Sequence, residues 1–401
     1  MALLFTFFIA HLGWEYRKYT EFISKPFYFT HATVLNAYEK TKGKHRYQVL
    51  KLKSDDGLIF YTTTHRKTSL KDKYVRLQIF PNRQIGFWDY LGSFYVKSRI
   101  REIEEHSSLK DDLLAKVSSQ HHASSLASFY NAIFFATPLE KALRDKIALL
   151  GVSHLVALSG FHLGILWALV YGGMLLFYRP LQQRYFPYRY ALVDVGIVTL
   201  CILGFYLWFV GSPPSLLRSY AMLLVGWAVL LMGIELLSFY FLFTVAAVLL
   251  VLFPSLCVSL GFWFSIAGVF YIFLLLHYTK QYNKWVITLL FIPLGIFLLM
   301  LPVVHAVFAV TSPFQLLSPI LSVLFILFYP LSMLLHLLHL GGVFDVALLG
   351  LFSLPPAEEE HLLPLWAVAG YLLLSLAAIC YRYAFYIVLT AASTYALYLF
   401  V

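Results

Sequence analysis

Two histidines and two serines interrupt an otherwise apolar stretch, G-V-S-H-L-V-A-L-S-G-F-H-L-G-I, which covers residues 151–165. Polar groups inside a membrane are costly, so they usually face a partner helix or a wet cavity. Side chains of this kind can line or gate a transport path. We therefore predict that this stretch is channel-lining through Ser153, His154, Ser159, Gly160 and His162.

Two other interpretations of this stretch stay open. Its polar side chains can act as interhelical hydrogen bonds that hold neighbouring helices together. Ala157-Leu158-Ser159-Gly160 is also one residue away from a G-x-S-G element, in which a serine near a histidine would be the nucleophile of an intramembrane protease. No separate base motif accompanies it, so we expect that the protein is not an enzyme. On a continuous helix, His154 and His162 would share one face.

Polar residues also interrupt three later apolar stretches, P-P-S-L-L-R-S-Y at 213–220, G-F-W-F-S-I at 261–266 and S-P-F-Q-L-L-S-P at 312–319. An arginine near a helix end, such as Arg218, either snorkels to the interface or meets phosphates that enter the path. The two prolines of the last stretch predict a broken or re-entrant helix. The further predicted channel-lining residues are Arg218, Ser265, Gln315 and Ser318.

Together, the four stretches resemble the ComEC/Rec2 family, the inner-membrane DNA channel of bacterial competence. The resemblance spans roughly residues 30–340, and the sequence departs from it at Arg218-Ser219, where the family usually has Arg-Ala. It implies transport of single-stranded DNA into the cytoplasm during natural transformation. We expect a form without the metallo-β-lactamase-like domain that many members carry, and hence no nuclease role.

A basic segment precedes these stretches. Residues 31–100 contain fourteen Lys and Arg against five Asp and Glu, which gives this segment a net charge of +9. Cations beside aromatic side chains are typical of single-strand binders, because the cations follow the phosphates and the aromatics stack on bases. A basic face that binds anionic lipid is the alternative. The predicted DNA-binding residues are Lys51, Lys53, Tyr61, Arg66, Lys67, Lys71, Lys73 and Arg76.

The composition excludes an ordinary soluble protein. Hydrophobic residues make up 60% of the 401 residues and charged residues only 12%, which predicts a polytopic α-helical membrane protein. The sequence contains no G-x-x-x-x-G-K-[ST], so we expect no nucleotide-driven motor within it. Cys201, Cys257 and Cys380 lie in apolar runs without paired spacing. We expect them to be buried, and predict neither a disulfide nor a metal site nor a cofactor.

Hydrophobic periodicity divides the chain into four parts. We predict a hydrophobic or interfacial anchor at 1–29, a basic OB-like β-barrel domain at 30–105, amphipathic linker helices on the membrane surface at 106–146 and a polytopic channel domain at 147–401. The apolar part of the anchor ends at Gly13, too early for a full membrane crossing. Nine apolar runs of the channel domain are candidate spanning helices, and glycines at 151, 160 and 164 favour a short half-helix before the first of them.

Alternating residues predict five short strands in the basic domain. Val75, Leu77 and Ile79 alternate with polar residues, and Asp55-Asp56-Gly57 predicts a hairpin turn. Five strands in about seventy residues fit a small barrel such as the OB-fold. The period slips within Tyr47–Leu52, which indicates a bulge.

Basic residues in two short loops predict the orientation. These loops contain Arg179, Arg184, Arg189, Lys280 and Lys284, and such loops usually face the cytoplasm. An even number of predicted crossings separates them, so both fall on one side. The β-domain would then lie outside the cytoplasm, on the far side of the bacterial inner membrane.

Energetics predict the partners. Moving one negative charge inward against the membrane potential costs about 2.3 kcal/mol per 100 mV, and DNA carries one charge per nucleotide. We therefore expect a cytoplasmic ATPase or single-strand-binding protein, a periplasmic DNA receptor and membrane lipid as partners besides single-stranded DNA. Two rival functions remain, a permease for another polyanionic or lipid-linked solute and a membrane scaffold without a path of its own.

Overall fold

The computed structural model describes residues 2–42, 45–65, 70, 73–104, 109–231, 238–355 and 359–400. Contacts within the chain divide it into two units, which we describe in turn. The first unit comprises Met1–Asp111 and Thr244–Leu260, and the second comprises Asp112–Phe243 and Gly261–Val401.

An aromatic-rich helix opens the first unit. α1 runs from Ala2 to Ser24, well past the end of the apolar run at Gly13. Its second half is polar, and ion pairs such as Lys18 to Glu15 at 2.9 Å lie one turn apart, which stabilises a helix beyond the apolar residues. Phe22, near the C-terminal end of α1, is buried in the core of the adjoining sheet.

A six-stranded mixed sheet forms most of the first unit. Its described strands are β1 (Tyr28–Lys42), β2 (His45–Ser54), β3 (Ile59–Thr64), β4 (Tyr74–Phe80), β5 (Phe94–Tyr95) and β6 (Lys97–Glu104), in the order β5-β3-β2-β1-β4-β6. β5 pairs in parallel with β3, and β6 pairs antiparallel with β4. The single strand predicted at Ser93–Ile103 is therefore two strands, divided at Val96. Helix α2 (Phe87–Leu91) precedes β5.

Strand alternation correctly predicts the core of this sheet. Val75, Leu77 and Ile79 are fully buried. Gly57 closes the predicted hairpin turn between β2 and β3 with φ of 85°, a conformation that favours glycine. The bulge lies on the neighbouring strand: β1 has the extra residue, Leu35, opposite Lys51 and Leu52.

The second unit begins with short helices. They are α3 (Leu109–Ser118), α4 (Ser124–Phe135), α5 (Lys141–Leu149) and α6 (Ser153–Val156). α4 buries seven of its twelve residues, among them Phe129, Tyr130 and Ile133, in the core of this unit. The half-helix predicted before the first span is α6, and the span itself is α7 (Gly160–Tyr185).

The remaining helices are mostly long and apolar. They are α8 (Ala191–Phe209), α9 (Pro214–Leu231), α10 (Phe239–Leu252), α11 (Leu260–Thr279), α12 (Lys284–Val286), α13 (Ile292–Val304), α14 (Ser318–Leu337), α15 (Asp345–Phe352), α16 (Leu365–Ala377) and α17 (Arg382–Phe400). Two short strands, β7 (Val310–Thr311) and β8 (Glu359–Glu360), pair with each other. Residues 287–291 join α12 to α13 as a π-helical turn, and residues 313–317 form a 3₁₀ turn before α14.

Six helical segments within the described residues are long and apolar enough to cross a membrane. The protein is thus a polytopic α-helical membrane protein with an additional β-sheet unit. The run predicted to span at 362–380 forms a helix of only 13 residues, α16. Cys201 and Cys380, which we expected to be buried, are exposed.

Candidate functional site

The first polar stretch folds as a broken helix. α6 ends at Val156, and α7 begins at Gly160. Gly151, before α6, has φ of 67°, which favours glycine. Because the helix is interrupted between them, His154 and His162 do not lie on one continuous helix, so the condition for sharing one face is not met.

Ser159 and His162 cap the start of α7. Ser159 Oγ accepts a hydrogen bond from the Phe161 amide at 3.3 Å, and His162 Nδ1 accepts one from the Ser159 amide at 3.3 Å. His162 is fully buried, and its ring meets Phe325 and Tyr329 edge to face. Since a backbone N–H occupies Nδ1, that atom is poorly placed to take a proton from Ser159 Oγ, 3.4 Å away. The pair has the arrangement of a helix cap rather than of a nucleophile and its base.

The fourth polar stretch packs against Gly151. Ser318 Oγ donates to the Gly151 carbonyl oxygen at 3.1 Å. A Cβ on Gly151 would lie 3.2 Å from Cγ of Gln315, so a larger residue would push the two segments apart. Gln315 Nε2 donates to the Val310 carbonyl oxygen at 3.0 Å, and both Gln315 and Ser318 are buried. These two side chains hold the broken segment before α14 in place.

His154 faces a serine that the sequence analysis missed. Its Nε2 lies 3.4 Å from Ser322 Oγ, one turn into α14. Ser153 and His154 are both exposed, so α6 presents a polar surface. Ser322 follows Ser318 by four residues and therefore lies on the same face of a helix. That spacing is the signal that could have identified it.

The second polar stretch contacts the first at a glycine. Ser215 Oγ donates to the Leu158 carbonyl oxygen, and Ser219 Oγ donates to the Ser215 carbonyl oxygen at 3.0 Å. A Cβ on Gly160 would lie only 2.9 Å from Ser219 Oγ. A side chain at position 160 would therefore force Ser219 to move, so α7 and α9 are in close contact here.

The third polar stretch contacts Arg218. A Cβ on Gly261 would lie 3.1 Å from Arg218 Nη2, so the guanidinium group lies against the first turn of α11. Ser265 is one turn further along α11 and half-buried. Arg218, near the N-terminal end of α9, thus lies beside Gly261.

The structure therefore brings the four polar stretches together through a chain of contacts. Gly151 meets the fourth stretch, Gly160 meets the second, and Arg218 of the second meets Gly261 of the third. The predicted residues divide by exposure: Ser153, His154 and Gly160 are exposed, whereas His162, Gln315 and Ser318 are buried, with Ser159 and Ser265 between these extremes.

On the β-sheet, the described basic residues face away from the core. Lys51 pairs with Tyr61 across β2 and β3, and Lys51 Nζ lies 5.7 Å from the centre of the Tyr61 ring. The neighbours of Lys51 in sequence, Leu50 and Leu52, are fully buried, so alternation places Lys51 and Lys53 on the outer face.

Arg76 lies on the outer face of β4. It is exposed, and its Cζ lies 6.0 Å from the ring centre of Phe29, an exposed aromatic that the sequence analysis missed. Lys73 precedes β4 and is half-buried. Arg66, Lys67 and Lys71 lie outside the described residues.

Comparison with known proteins identifies a family for one part of the chain. A protein-family model described as "Competence protein" matches residues 136–400, which is more than half of the chain and includes all four polar stretches. The match does not extend to the β-sheet. A search of the curated proteins and a search of the solved structures each found no match.

Proposed function

Because the chain belongs to the competence protein family, of the ComEC/Rec2 type, we propose that it passes single-stranded DNA across the bacterial inner membrane during natural transformation. The role of the family in DNA uptake and the six long apolar helices support a multi-pass transport protein. The single observation that carries the proposal is that four polar stretches, far apart in the chain, contact one another.

In this proposal, exposed polar residues border the path and buried ones position them. Ser153, His154 and Gly160 would meet the strand directly, because they are exposed. His162, Gln315 and Ser318 would hold the backbone of α6, α7 and α14 in register through the bonds described above. The proposed set is Ser153, His154, Ser159, Gly160, His162, Arg218, Ser265, Gln315, Ser318 and the newly found Ser322.

Arg218 would bind the phosphates. A guanidinium group is always charged, presents several N–H donors in one plane and pairs well with phosphate oxygens. The guanidinium group lies beside Gly261, where the second and third polar stretches meet, and this position supports the role. One fixed cation near the end of a helix would favour entry of an anionic strand.

The distribution of basic residues among the short loops supports entry of DNA from outside the cytoplasm. The short loops with Arg179, Arg184, Arg189, Lys280 and Lys284 would face the cytoplasm. Arg189 in the first of them is held by an ion pair with Asp194 at 2.6 Å. The β-sheet unit would then lie in the periplasm, where a DNA receptor would deliver the strand.

The β-sheet unit would bind the strand before it enters. The support for an OB-like barrel is that β5 and β6 are consecutive in the chain yet pair at opposite edges of the sheet. The Val96 amide donates to the Tyr61 carbonyl oxygen at 2.9 Å, and Thr62 Oγ1 lies 2.8 Å from Ser98 Oγ. One segment thus bridges β3 and β4, as a closing strand would. Lys51, Tyr61 and Arg76 would contact DNA on its outer face.

Inward transport needs a driving force that the chain does not supply in this proposal. Each phosphate moves against a potential that costs about 2.3 kcal/mol per 100 mV. A cytoplasmic ATPase or single-strand-binding protein would supply the bias by pulling or trapping the strand. We therefore expect loss of such a partner to leave DNA in the periplasm.

Replacement of Arg218 tests the proposal. We expect Arg218→Ala to abolish transformation while DNA still accumulates in the periplasm, and Arg218→Lys to retain part of the activity, since Lys keeps the charge but not the planar donor set. Arg382→Ala is the control, because Arg382 lies on α17 and its Nε donates to Tyr386 Oη.

Both transformation frequency and nuclease-protected periplasmic DNA are measured in strains with equal protein levels. Normal transformation with Arg218→Ala would remove this residue from the path. If a deletion strain transforms normally but has an altered envelope, the transported cargo would be a lipid-linked solute rather than DNA.

A further inference from the structure

A row of three titratable side chains joins three separate segments of the second unit. His121 lies between α3 and α4, His336 is in the last turn of α14, and Asp345 begins α15. His121 Nδ1 lies 2.9 and 3.0 Å from the two carboxylate oxygens of Asp345. His121 Nε2 lies 2.9 Å from His336 Nε2, and His336 Nδ1 lies 2.7 Å from the Ser332 carbonyl oxygen. The side chain of His121 is completely buried.

These distances fix where the protons are. A carbonyl oxygen only accepts hydrogen bonds, so His336 Nδ1 carries a proton, and a neutral His336 then has a lone pair on Nε2. His121 Nε2 must donate to that lone pair. His121 Nδ1 and Asp345 share a further proton, because a lone pair would otherwise face a carboxylate. The row therefore contains a cationic imidazole beside an anionic carboxylate. It has one proton more than the same three side chains would have with both imidazoles neutral and the carboxylate ionised.

A proton fits the gap between the two imidazoles better than a metal ion does. An N–H···N hydrogen bond has an ordinary length near 2.9 Å, the separation found here. A tetrahedral zinc ion, with Zn–N distances of about 2.0–2.1 Å, would hold the nitrogens further apart and needs further ligands. The part of the chain that the structure describes contains no group of three His, Cys, Asp or Glu side chains that could hold a metal ion.

The surroundings hold the row rigidly. The Tyr130 ring of α4 stacks on His121, with ring centroids 4.4 Å apart, and it is the other titratable group that faces this imidazole. Gln120 Nε2 donates to the His336 carbonyl oxygen at 3.1 Å, and its Oε1 accepts from the Gly341 amide at 2.9 Å. A Cβ on Gly341 would lie 2.7 Å from His336 Nε2, so the site also requires glycine.

We propose that Asp345, His121 and His336 form a proton-dependent latch that fastens the C-terminal end of α14 to the segment between α3 and α4. Loss of the shared proton leaves a lone pair opposite a lone pair or a carboxylate, and the latch opens. Ser318 and Ser322 lie at the other end of the same helix, so the latch also restrains the part of α14 that contacts Gly151 and His154. This last consequence rests on the proposed function, but the latch itself does not.

The expected pH dependence follows from linkage. An ordinary imidazole releases its proton near pH 6.5. The closed latch needs one more proton than the opened segments do, so opening becomes more favourable as the pH rises, by at most about tenfold per pH unit. The latch is therefore closed at mildly acidic pH and opens as the pH rises.

Hydrogen–deuterium exchange of the purified full-length protein in detergent micelles tests the latch without any DNA. After correction for intrinsic exchange, we expect protection of the amides at 336–345 to fall about tenfold or more between pH 6.5 and pH 8.0. His121→Gln keeps hydrogen-bonding groups but has no proton to lose, so its protection should be low and independent of pH. Asp345→Asn can donate an amide N–H to a neutral His121 Nδ1, so its protection should persist at pH 8.0.

His339→Asn is the control, since His339 is exposed and has φ of 59°, which Asn tolerates. It should retain the native pH profile. The same pH profile in His121→Gln as in the native protein would overturn the latch. A second control adds zinc chloride at pH 8.0 to protein that was first treated with a chelator. If zinc restores protection in the native protein but not in His121→Gln, a metal ion rather than a proton would hold the latch closed. Neither result depends on whether the protein transports DNA.

Discussion

The sheet unit and the helical unit hold their proposed DNA-contacting residues in different ways. On the sheet, Lys51, Lys53 and Arg76 are each held by strand pairing and point outward, so each acts through its charge. In the helical unit, the polar stretches meet at glycines where a Cβ would clash, as at Gly160 and Gly151. We therefore expect activity to fall in graded steps as basic residues of the sheet are replaced, whereas loss of one helical contact should disrupt the others as well.

Replacement of Gly160 should have the largest effect. Its Cβ would lie 2.9 Å from Ser219 Oγ, and overpacking of this kind costs about 1–3 kcal/mol. If the path needs this contact, Gly160→Ala should lower transformation roughly ten- to a hundredfold. Gly164→Ala is the control, since a Cβ there would meet no atom of the described residues within 4 Å.

The double variant Gly160→Ala with Ser219→Gly sharpens the test, because it removes both atoms that the new methyl group would meet. Transformation should recover in the double variant relative to Gly160→Ala alone. Equal defects in Gly160→Ala and Gly164→Ala would mean that the close contact at Gly160 is not the cause of the defect. The departure at Ser219 from the alanine usual in the family would then have no role in packing.

Charge removal on the sheet should have a smaller and graded effect. Replacing Lys51, Lys53 and Arg76 by Gln removes three proposed phosphate contacts. The slope of log affinity against log salt should fall by about 2, given roughly 0.7 per contact on a single strand. Full-length protein titrated with labelled oligonucleotides at several salt concentrations measures this slope. Each single variant should show about a third of the change.

Glu39→Gln is the charge control, because it removes an acidic side chain from the same sheet and should not reduce the salt slope. A loss of all binding in one single variant would contradict the graded behaviour. An unchanged salt slope in the triple variant would instead indicate that the basic face does not bind DNA, which favours the alternative that it binds anionic lipid.

Local periodicity predicted the framework of both units because it depends on neighbouring residues alone. The buried row Val75, Leu77 and Ile79 and the half-helix before α7 are of this kind. Features set by a partner strand were displaced: the bulge lies at Leu35 on β1 rather than within 47–52. β2 pairs with β3 in regular register through residues 48–53, so the slipped period within 47–52 does not mark an extra residue on β2.

Features that join distant segments could not be predicted. His121 and Asp345 are 224 residues apart, and no spacing rule connects them. His336 lies in an apolar run, and nothing in its spacing points to either partner. The four polar stretches could be identified singly from their composition, but only the fold reveals that Gly160 meets Ser219 and that Gly261 meets Arg218.

Gly57 gives a smaller effect that is confined to the sheet. It has φ of 85° in the turn between β2 and β3, and a side chain in the left-handed region costs about 1–2 kcal/mol. Gly57→Ala should therefore lower the stability of the sheet by about 1 kcal/mol without affecting the helical unit. Gly57→Asn should be milder, since Asn tolerates this region. Limited proteolysis of the sheet at increasing urea concentration compares the two variants.

A defect in transformation as large as that of Gly160→Ala would contradict the separation between the units. A loss near 1 kcal/mol leaves most of a domain folded, because typical domains have about 5–15 kcal/mol of stability. The expected result is therefore normal transformation at low temperature and a modest decrease near the growth limit.

The smallest effect should be a pH dependence of the sheet unit at high pH. The Tyr28 hydroxyl donates to Asp56, and this hydrogen bond, together with burial, raises the pKa of Tyr28 to about 12. An unfolded tyrosine has a pKa of about 10. Between these values the unfolded chain has released the proton that the folded sheet retains, so stability falls as the pH rises from 10 to 12 and is unaffected below pH 10.

Asp56→Asn removes the charged acceptor and should bring the pKa of Tyr28 back toward 10. The difference in tyrosinate absorbance between proteins with and without Tyr28→Phe isolates this group from the other tyrosines of the chain. Tyr90, whose pKa burial raises to about 12, should keep its titration in Asp56→Asn, because Asp56 is only a lesser cause there. The two tyrosines thus separate a hydrogen bond from burial within one unit. If the pKa values of both tyrosines shifted equally in Asp56→Asn, the Asp56 carboxylate would act on both through long-range electrostatics rather than through one hydrogen bond. The polar contacts of the sheet would then be coupled, as we expect for those of the helical unit.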